Sequence, residues 1–309
     1  MTKLEKHKVI IDCDPGADDA LAIMLALNSE EIDVIGITTV SGNSPLEICT
    51  QNALNIINSC NRKDIPVFAG EDRPIKRDIE FTDEYCGKNG VCEYEFRKSD
   101  KLVQKENAID FIYDSAAREE KLTIISIAPM SNIAKALIKY PDLKDMNIEI
   151  ITMAGYYKVN SSLNVKRSEW NVLVDPEAFE IVCNSGIPMY SLGLDVSSNL
   201  KNEYIDEIIE KGTKSEKMEY LIHAKDFYLS RNLTPKSLLV DSLPVAYIID
   251  KSIAKFKAGN VTMQYKEKID CDIIKFNSYK DKANIYAAYE LDLDRFVKIL
   301  IERIFNKWS

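Results

Sequence analysis

VIIDCDPGADDALA, residues 9–22, is the stretch whose reading decides the fold. Val9-Ile10-Ile11 is an uninterrupted apolar run of the kind that forms a buried strand in a parallel sheet. Four carboxylates then arrive within eight residues: Asp12, Asp14, Asp18 and Asp19. Pro15-Gly16 forces a turn between the two pairs, and the ADDALAIMLAL pattern that follows is helical and apolar. The acids therefore sit where a strand ends and a helix begins, which in open α/β sheets is where ligands bind. Helix capping by Asp18 or Asp19 accounts for one or two of them. Four mutually repelling carboxylates at one strand end raise each other's pKa values unless a cation neutralises them. The pattern points to a hard, oxygen-ligated divalent cation, with Ca²⁺ the first candidate.

The chain has 309 residues, 46% of them hydrophobic, enough to bury a sizeable core. Its net charge of -9 argues against a nucleic-acid surface, which would show as a basic stripe. No apolar run is long enough to span a membrane. The start, MTKLEKHK, lacks the apolar region and cleavage site of a signal peptide. Seven scattered cysteines are the usage of a reduced protein, so a cytoplasmic location is expected. Cys86 and Cys92 are the closest pair, and no second pair or histidine nearby completes a zinc pattern. His7 and His223 are the two histidines, so acid–base chemistry has few imidazoles to draw on.

Working outward, strands are expected at 32–43, 66–69, 122–127, 148–153 and 189–192, alternating with helices at 46–59, 107–117, 133–138 and after Asp175-Pro176. The stretch 71–101 loses periodicity, and a loop of that length inside a compact domain is usually functional or mobile; closure over a substrate is the expectation. Beyond Asp195 the pattern turns mainly helical, at 202–211, 215–230 and 241–249, with weak strands at 261–265 and 284–290 and a terminal helix at 293–305. These alternations predict a single domain over 1–309: an open, mostly parallel, doubly wound (Rossmann-like) α/β sheet with an added helical layer from the C-terminal third. The first, second, fourth and fifth strands end in polar or carbonyl-rich turns, namely the aspartates, Ser41-Gly42-Asn43, Ile127-Ala128-Pro129 and Met153-Ala154-Gly155. Together they line one sheet edge. Glu169-Trp170-Asn171, and Asp241 at the start of an apolar helix, are further candidates, with a loop and a helix cap as their bland alternatives.

The motifs resemble those of the inosine-uridine preferring nucleoside hydrolases: DCDPGADDALA for DxDPGxDDxxA, then TTVSGN (38–43), IAPMSNIA (127–134), TMAG (152–155), EWNVLVDPEA (169–178) and VDSLPVAYIID (240–250). The resemblance implies a Ca²⁺-dependent hydrolase that splits ribonucleosides into ribose and free base through an oxocarbenium-like state. It implies that Asp14, Asp19, Asp241 and the Ile127 carbonyl hold the ion, which also binds ribose hydroxyls and a water. Asp14 then takes a proton from that water. Asp18, Asn43, Met153, Glu169 and Asn171 match ribose-binding positions, with Asn160 or Asn164 as a further contact, Asn164 being preferred. Asp12 supports the loop. A homo-oligomer, dimer or tetramer, is implied as well.

The base end departs from the family. Val240 stands where a histidine protonates the leaving base, and Cys86 stands near the place of a loop histidine. Tyr85, Cys86, Tyr156, Tyr228, Arg231 and Val240 are the candidate base-pocket residues, with Tyr157 and Trp170 as further stacking surfaces. Tyr228, Arg231 and solvent are the candidate sources of the leaving-group proton, and His223 reads as a helix-face residue. Two other readings stand beside this one. A non-catalytic riboside-binding relative, or a hydrolase of an atypical riboside, fits the missing histidine. A phosphatase of the haloacid dehalogenase type also uses strand-DxD, but wants Thr or Gly-Thr after the second acid, where this chain has Pro15-Gly16 and two further aspartates.

Overall fold

The computed structural model describes residues 6–159, 163, 168–265, 273–277 and 283–306. Nine strands form its sheet: β1 (His7–Cys13), β2 (Ile32–Thr39), β3 (Val67–Ala69), β4 (Leu122–Ser126), β5 (Ile148–Thr152), β6 (Met189–Ser191), β7 (Ala254–Gln264), β8 (Ile273–Asn277) and β9 (Ile285–Leu291). They lie in the order β3-β2-β1-β4-β5-β6-β9-β7-β8. β1 to β6 and β9 pair in parallel, whereas β7 runs antiparallel to both β9 and β8. From β1 the chain builds outward through β2 to β3, then returns to β4 and builds the other way. The order therefore reverses between β1 and β4, which opens a crevice at their carboxyl ends.

Both faces of the sheet are covered, as the unbroken apolar strands require. Val9, Ile11, Ile125 and Ile151 face one core, while Ile10, Ile124 and Ile150 face the other, following the period-two alternation of a strand. Against the second face lie α4 (Ala108–Arg118), α5 (Ser131–Lys139) and α7 (Pro176–Cys183). Against the first lie α1 (Ala17–Leu27) and α2 (Leu46–Ser59). Every α1 residue except Asp18 is buried. A helix apolar all round needs cover on its outer side as well. The C-terminal third supplies it: α9 (Glu203–Lys211), α10 (Glu216–Ser230), α11 (Ser242–Ile249) and α12 (Leu293–Leu300) contribute side chains to the same core. Shorter helices are α3 (Asp83–Cys86), α6 (Trp170–Val174) and α8 (Leu194–Ser197).

The expected helical layer is present, and with it come three strands. β7 starts seven residues before the expected 261, and β8 was not expected at all. β7 lies between β9 and the edge strand β8, and its exposed Lys255 alternates with buried Ala254, so it lacks the apolar run of the parallel strands. The helix expected to 305 ends at Leu300 and continues as a π-helical turn, Ile301–Phe305. No described helix is long and apolar enough to cross a membrane.

A polar row crosses the sheet near the carboxyl end of its strands. Asp12 is in register with Thr38 on β2 and Ser126 on β4, Ser126 with Thr152, and Thr152 with Ser191. All five are buried. The Thr38 hydroxyl donates to Asp12 Oδ1 at 2.7 Å, and Asn132 Nδ2 donates to the same oxygen at 2.8 Å. Asn132 also donates to the Thr39 carbonyl and accepts from the Glu71 amide, so one side chain at the start of α5 ties β1, β2 and the following loop together. Removing it as Asn132→Ala leaves buried polar partners unmatched. The expected cost is about 1–3 kcal/mol, read as a lower denaturation midpoint at unchanged slope; an unaltered midpoint would deny the tie.

Candidate active site

Each acid of the opening stretch has a separate place. Asp12, 0% exposed, turns into the polar row, where it braces the strand ends. Asp14, also 0% exposed, accepts the Asn43 amide on Oδ2 at 2.6 Å. Gly42 must be glycine here, because a Cβ would collide with that same oxygen. Asp19 accepts the Gly16 amide on Oδ2 at 2.9 Å, so capping of α1 does occur, but through one oxygen alone. Asn43 Nδ2 bridges the pair, donating to Asp19 Oδ2 at 3.2 Å and to the Asp14 carbonyl at 3.3 Å. Asp14 Oδ1 and Asp19 Oδ1 are buried without a hydrogen-bond partner. Asp241 precedes α11 but makes no side-chain cap bond, which removes the helix-cap explanation for it. Ligand oxygens of Asp18, Asp19 and Asp241 lie within 4.8 Å of one another.

A cavity of about 330 Å³ opens onto this cluster. Asp18, Asn43, Ile127, Met153, Glu169, Asn171 and Asp241 line it together with Tyr85, Cys86, Trp170, Tyr228 and Val240, whereas the fully buried Asp14 and Asp19 are not among the lining residues. Glu169 is buried and held rigidly: its carboxylate accepts the amides of Gly155, Asn171 and Val172. Asn171 Nδ2 donates to the Met153 carbonyl at 2.9 Å. Sequence reasoning missed Thr82, Ser168, Leu194 and Ser237, which line the same cavity. Thr82 lies in the aperiodic 71–101 stretch, where no pattern signals a single position.

Some candidates fall elsewhere. Tyr156 is not among the lining residues, and its hydroxyl donates to the Leu163 carbonyl. Tyr157 is buried, with its hydroxyl on the Ala154 carbonyl. Arg231 also stands outside the lining; it donates to the carbonyls of Asp83 and Glu84 and lies over the Phe227 ring, pinning α3. His223 meets the Cys92 carbonyl at 2.8 Å and packs edge-on to Tyr94, as a helix-face residue would. Asn160 and Asn164 lie outside the described residues. The 71–101 segment holds α3 and is moored by Asn52 and Asn58 on α2 and by a nearly buried Arg77–Glu177 ion pair at 3.0 Å.

Burial and mutual repulsion set the electrostatics. Burial, then Asp19, holds Asp14 well above the usual carboxylate range. Burial, then Asp18, does the same to both Asp19 and Asp241. Burial raises Asp18, Asp12 and Glu169 each to about 6. Burial and the charge on Asp18 push the Cys86 thiol up to about 12, so near neutral pH it is a thiol and not a nucleophilic thiolate. Buried, clustered carboxylates with orphaned oxygens are a donor set suited to a hard divalent cation. Asp14, Asp18, Asp19, Asp241 and the Ile127 carbonyl are the groups available to hold one.

The family profile described as inosine-uridine preferring nucleoside hydrolase matches residues 9–298. The chain is 28% identical to a "probable uridine nucleosidase 2" of Arabidopsis thaliana, covering 97% of this chain and 98% of that protein. It is 36% identical to the pyrimidine-specific ribonucleoside hydrolase RihB of Escherichia coli over 63% of this chain and 62% of that one. Among solved structures, a purine-preferring ribonucleoside hydrolase from Gardnerella vaginalis superposes with a TM-score of 0.84 at 29% identity, covering 96% and 98% of the two chains.

The raised carboxyl pKa values carry a sign. A native carboxyl raised above its ordinary 3.8 retains protons that the unfolded chain has lost, so stability falls as pH rises through the native value. The metal-free protein should lose melting temperature from about pH 4 upward through about pH 6 and beyond. A bound divalent cation should restore it, with a larger shift at about pH 8 than at about pH 5.5. A cation-induced shift independent of pH in thermal melts would contradict this electrostatic account.

Proposed function

This chain belongs to the inosine-uridine preferring nucleoside hydrolase family, and from that premise we propose that it hydrolyses the N-glycosidic bond of ribonucleosides by a Ca²⁺-dependent route, releasing ribose and free base. One observation carries the reading most: Asp14 and Asp19 each keep a buried, unpartnered oxygen, and the residues they adjoin, Asn43, Asp18 and Asp241, line a cavity of about 330 Å³. When bound, the cation supplies neutralisation of the carboxylates and a lower pKa for water.

The chain's own residues do the rest. Asp14, fixed on Oδ2 by the Asn43 amide, takes on Oδ1 the proton of the water that attacks the anomeric carbon. Asp18, Asn43, Glu169 and Asn171 hold the ribose hydroxyls, with Met153 against the sugar; rigid mooring of Glu169 and Asn171 keeps the anomeric carbon in line. As the C–N bond breaks, its electron pair goes to the base, which gains a proton. Burial, with Cys86 and Asp18 nearby, holds the Tyr228 hydroxyl well above its ordinary range, so it is protonated near neutral pH and gives its proton up only as charge builds on the departing base. Tyr228 lines the cavity and Arg231 does not, and we assign the donation to Tyr228.

Reducing-sugar release from a panel of ribonucleosides and deoxyribonucleosides, with and without a calcium chelator, tests the reaction. Release from ribosides that chelation abolishes is expected; release insensitive to exhaustive chelation would reject calcium dependence. Asp14→Asn should cut kcat by about 10³-fold or more with the fold intact, whereas a binding protein has no turnover to lose. Tyr228→Phe should lower kcat on the order of 10²-fold for bases that need a proton. An unchanged kcat in a single-turnover assay would remove Tyr228 from the chemistry.

A further inference from the structure

Thr82 stands at the start of α3, in the place of a capping residue, yet its hydroxyl makes no cap bond. It turns instead to Asn43. The Thr82 amide donates to the Asn43 carbonyl at 3.0 Å, and the Thr82 hydroxyl is shared between that carbonyl and Asn43 Oδ1, both at 3.1 Å. Thr82 is 7% exposed, so these bonds are shielded from competing water. A carboxamide is planar, with its oxygen and nitrogen at opposite corners. Holding Oδ1 toward Thr82 therefore commits Nδ2 to the other side, where it meets Asp19 Oδ2 and the Asp14 carbonyl. If the carboxamide turned over, its oxygen would face the Asp19 carboxylate. The Asn43 backbone, pinned by the same residue, carries the amide that fixes Asp14 Oδ2.

We propose that Thr82 is a positioning residue: it orients Asn43 so that Asp14 and Asp19 are held ready for the cation, and it ties the 71–101 segment to that site. The inference rests on the reading of the cation site given above. Its consequence is reciprocal. A cation that orders Asp14 and Asp19 orders Asn43, and through Thr82 also the α3 segment that presents Tyr85 and Cys86 to the cavity. Coupling of this kind acts in both directions, so calcium and the base-side wall stabilise one another.

The test compares Thr82→Val, which keeps the shape and removes the hydroxyl, with Thr82→Ser, which restores the hydroxyl. Calcium affinity is measured by calorimetry on the full chain, and amide hydrogen exchange over 41–44 and 82–92 with and without calcium. Loss of a shielded hydrogen bond predicts calcium affinity about tenfold weaker in Thr82→Val, faster exchange at 41–44, and loss of the protection that calcium confers on 82–92. Thr82→Ser should return each to within about twofold of the wild type. Unchanged affinity and exchange in Thr82→Val overturn the inference, as does a Thr82→Ser variant impaired equally, which assigns the effect to methyl packing. Should Thr82→Val not fold, Thr82→Ala carries the same comparison. If the wild-type protein binds no calcium, the cation reading falls on its own. Exchange at 41–44 then still decides the inference: acceleration in Thr82→Val with rescue by serine supports it, and no change overturns it.

Discussion

Carboxylates removed from water repel one another strongly, and here Asp14, Asp19 and Asp241 are gathered at one strand end with almost no solvent contact. Hydrogen bonds meet only part of their demand, since Asp14 and Asp19 each retain a bare oxygen. Without a cation the cluster must hold protons. With one, the same geometry becomes a cradle. Much of the local architecture serves this constraint: Gly42 lets Asp14 approach the backbone, the Gly16 turn offers its amide to Asp19, and Asn43 bridges both acids. The fold contributes the location. Reversal of strand order between β1 and β4 leaves the crevice into which these groups converge, and α1, buried at every residue but Asp18, fixes the turn between the acid pairs.

The parallel part of the fold was readable from sequence because it has a local signature, and so was the convergence of Asp18, Glu169 and Asn171 on one cavity. Uninterrupted runs such as Val9-Ile10-Ile11 mark buried strands, and the Asn107 and Asp175 caps mark helix starts. The helix expected at 46–59 appears as Leu46–Ser59. Residues 12–19 and 169–171 each gather several polar groups within a few positions, so residue type and spacing mark them as candidates. The antiparallel edge was harder. β7 alternates Lys255 and Lys257 with Ala254, Phe256 and Ala258, a period-two pattern that was there to be found but is diluted by small residues and glycine. β8 rests on pairing with β7, a tertiary fact.

The cavity wall made by Tyr85, Cys86, Tyr228 and Val240 was least legible for a physical reason. It comes from α3, from α10 and from the residues before α11, which are far apart in sequence and joined by contacts that no periodicity announces. Arg231 illustrates the limit. Its type and neighbourhood suit a leaving-group donor, but the fold directs it to the carbonyls of α3. Tyr228, three residues earlier and in the last turn of α10, lines the cavity instead. Thr82 escaped notice because its role lies in what it does to Asn43, not in chemistry of its own.

The claim at the centre is that buried carboxylates hold protons until a cation displaces them. A calorimetric titration of the metal-free protein with calcium, repeated in two buffers of different ionisation enthalpy, measures this directly. The account predicts a single site per chain and release of protons on binding at neutral pH. Binding with no proton release, or no binding of calcium at all, would contradict it.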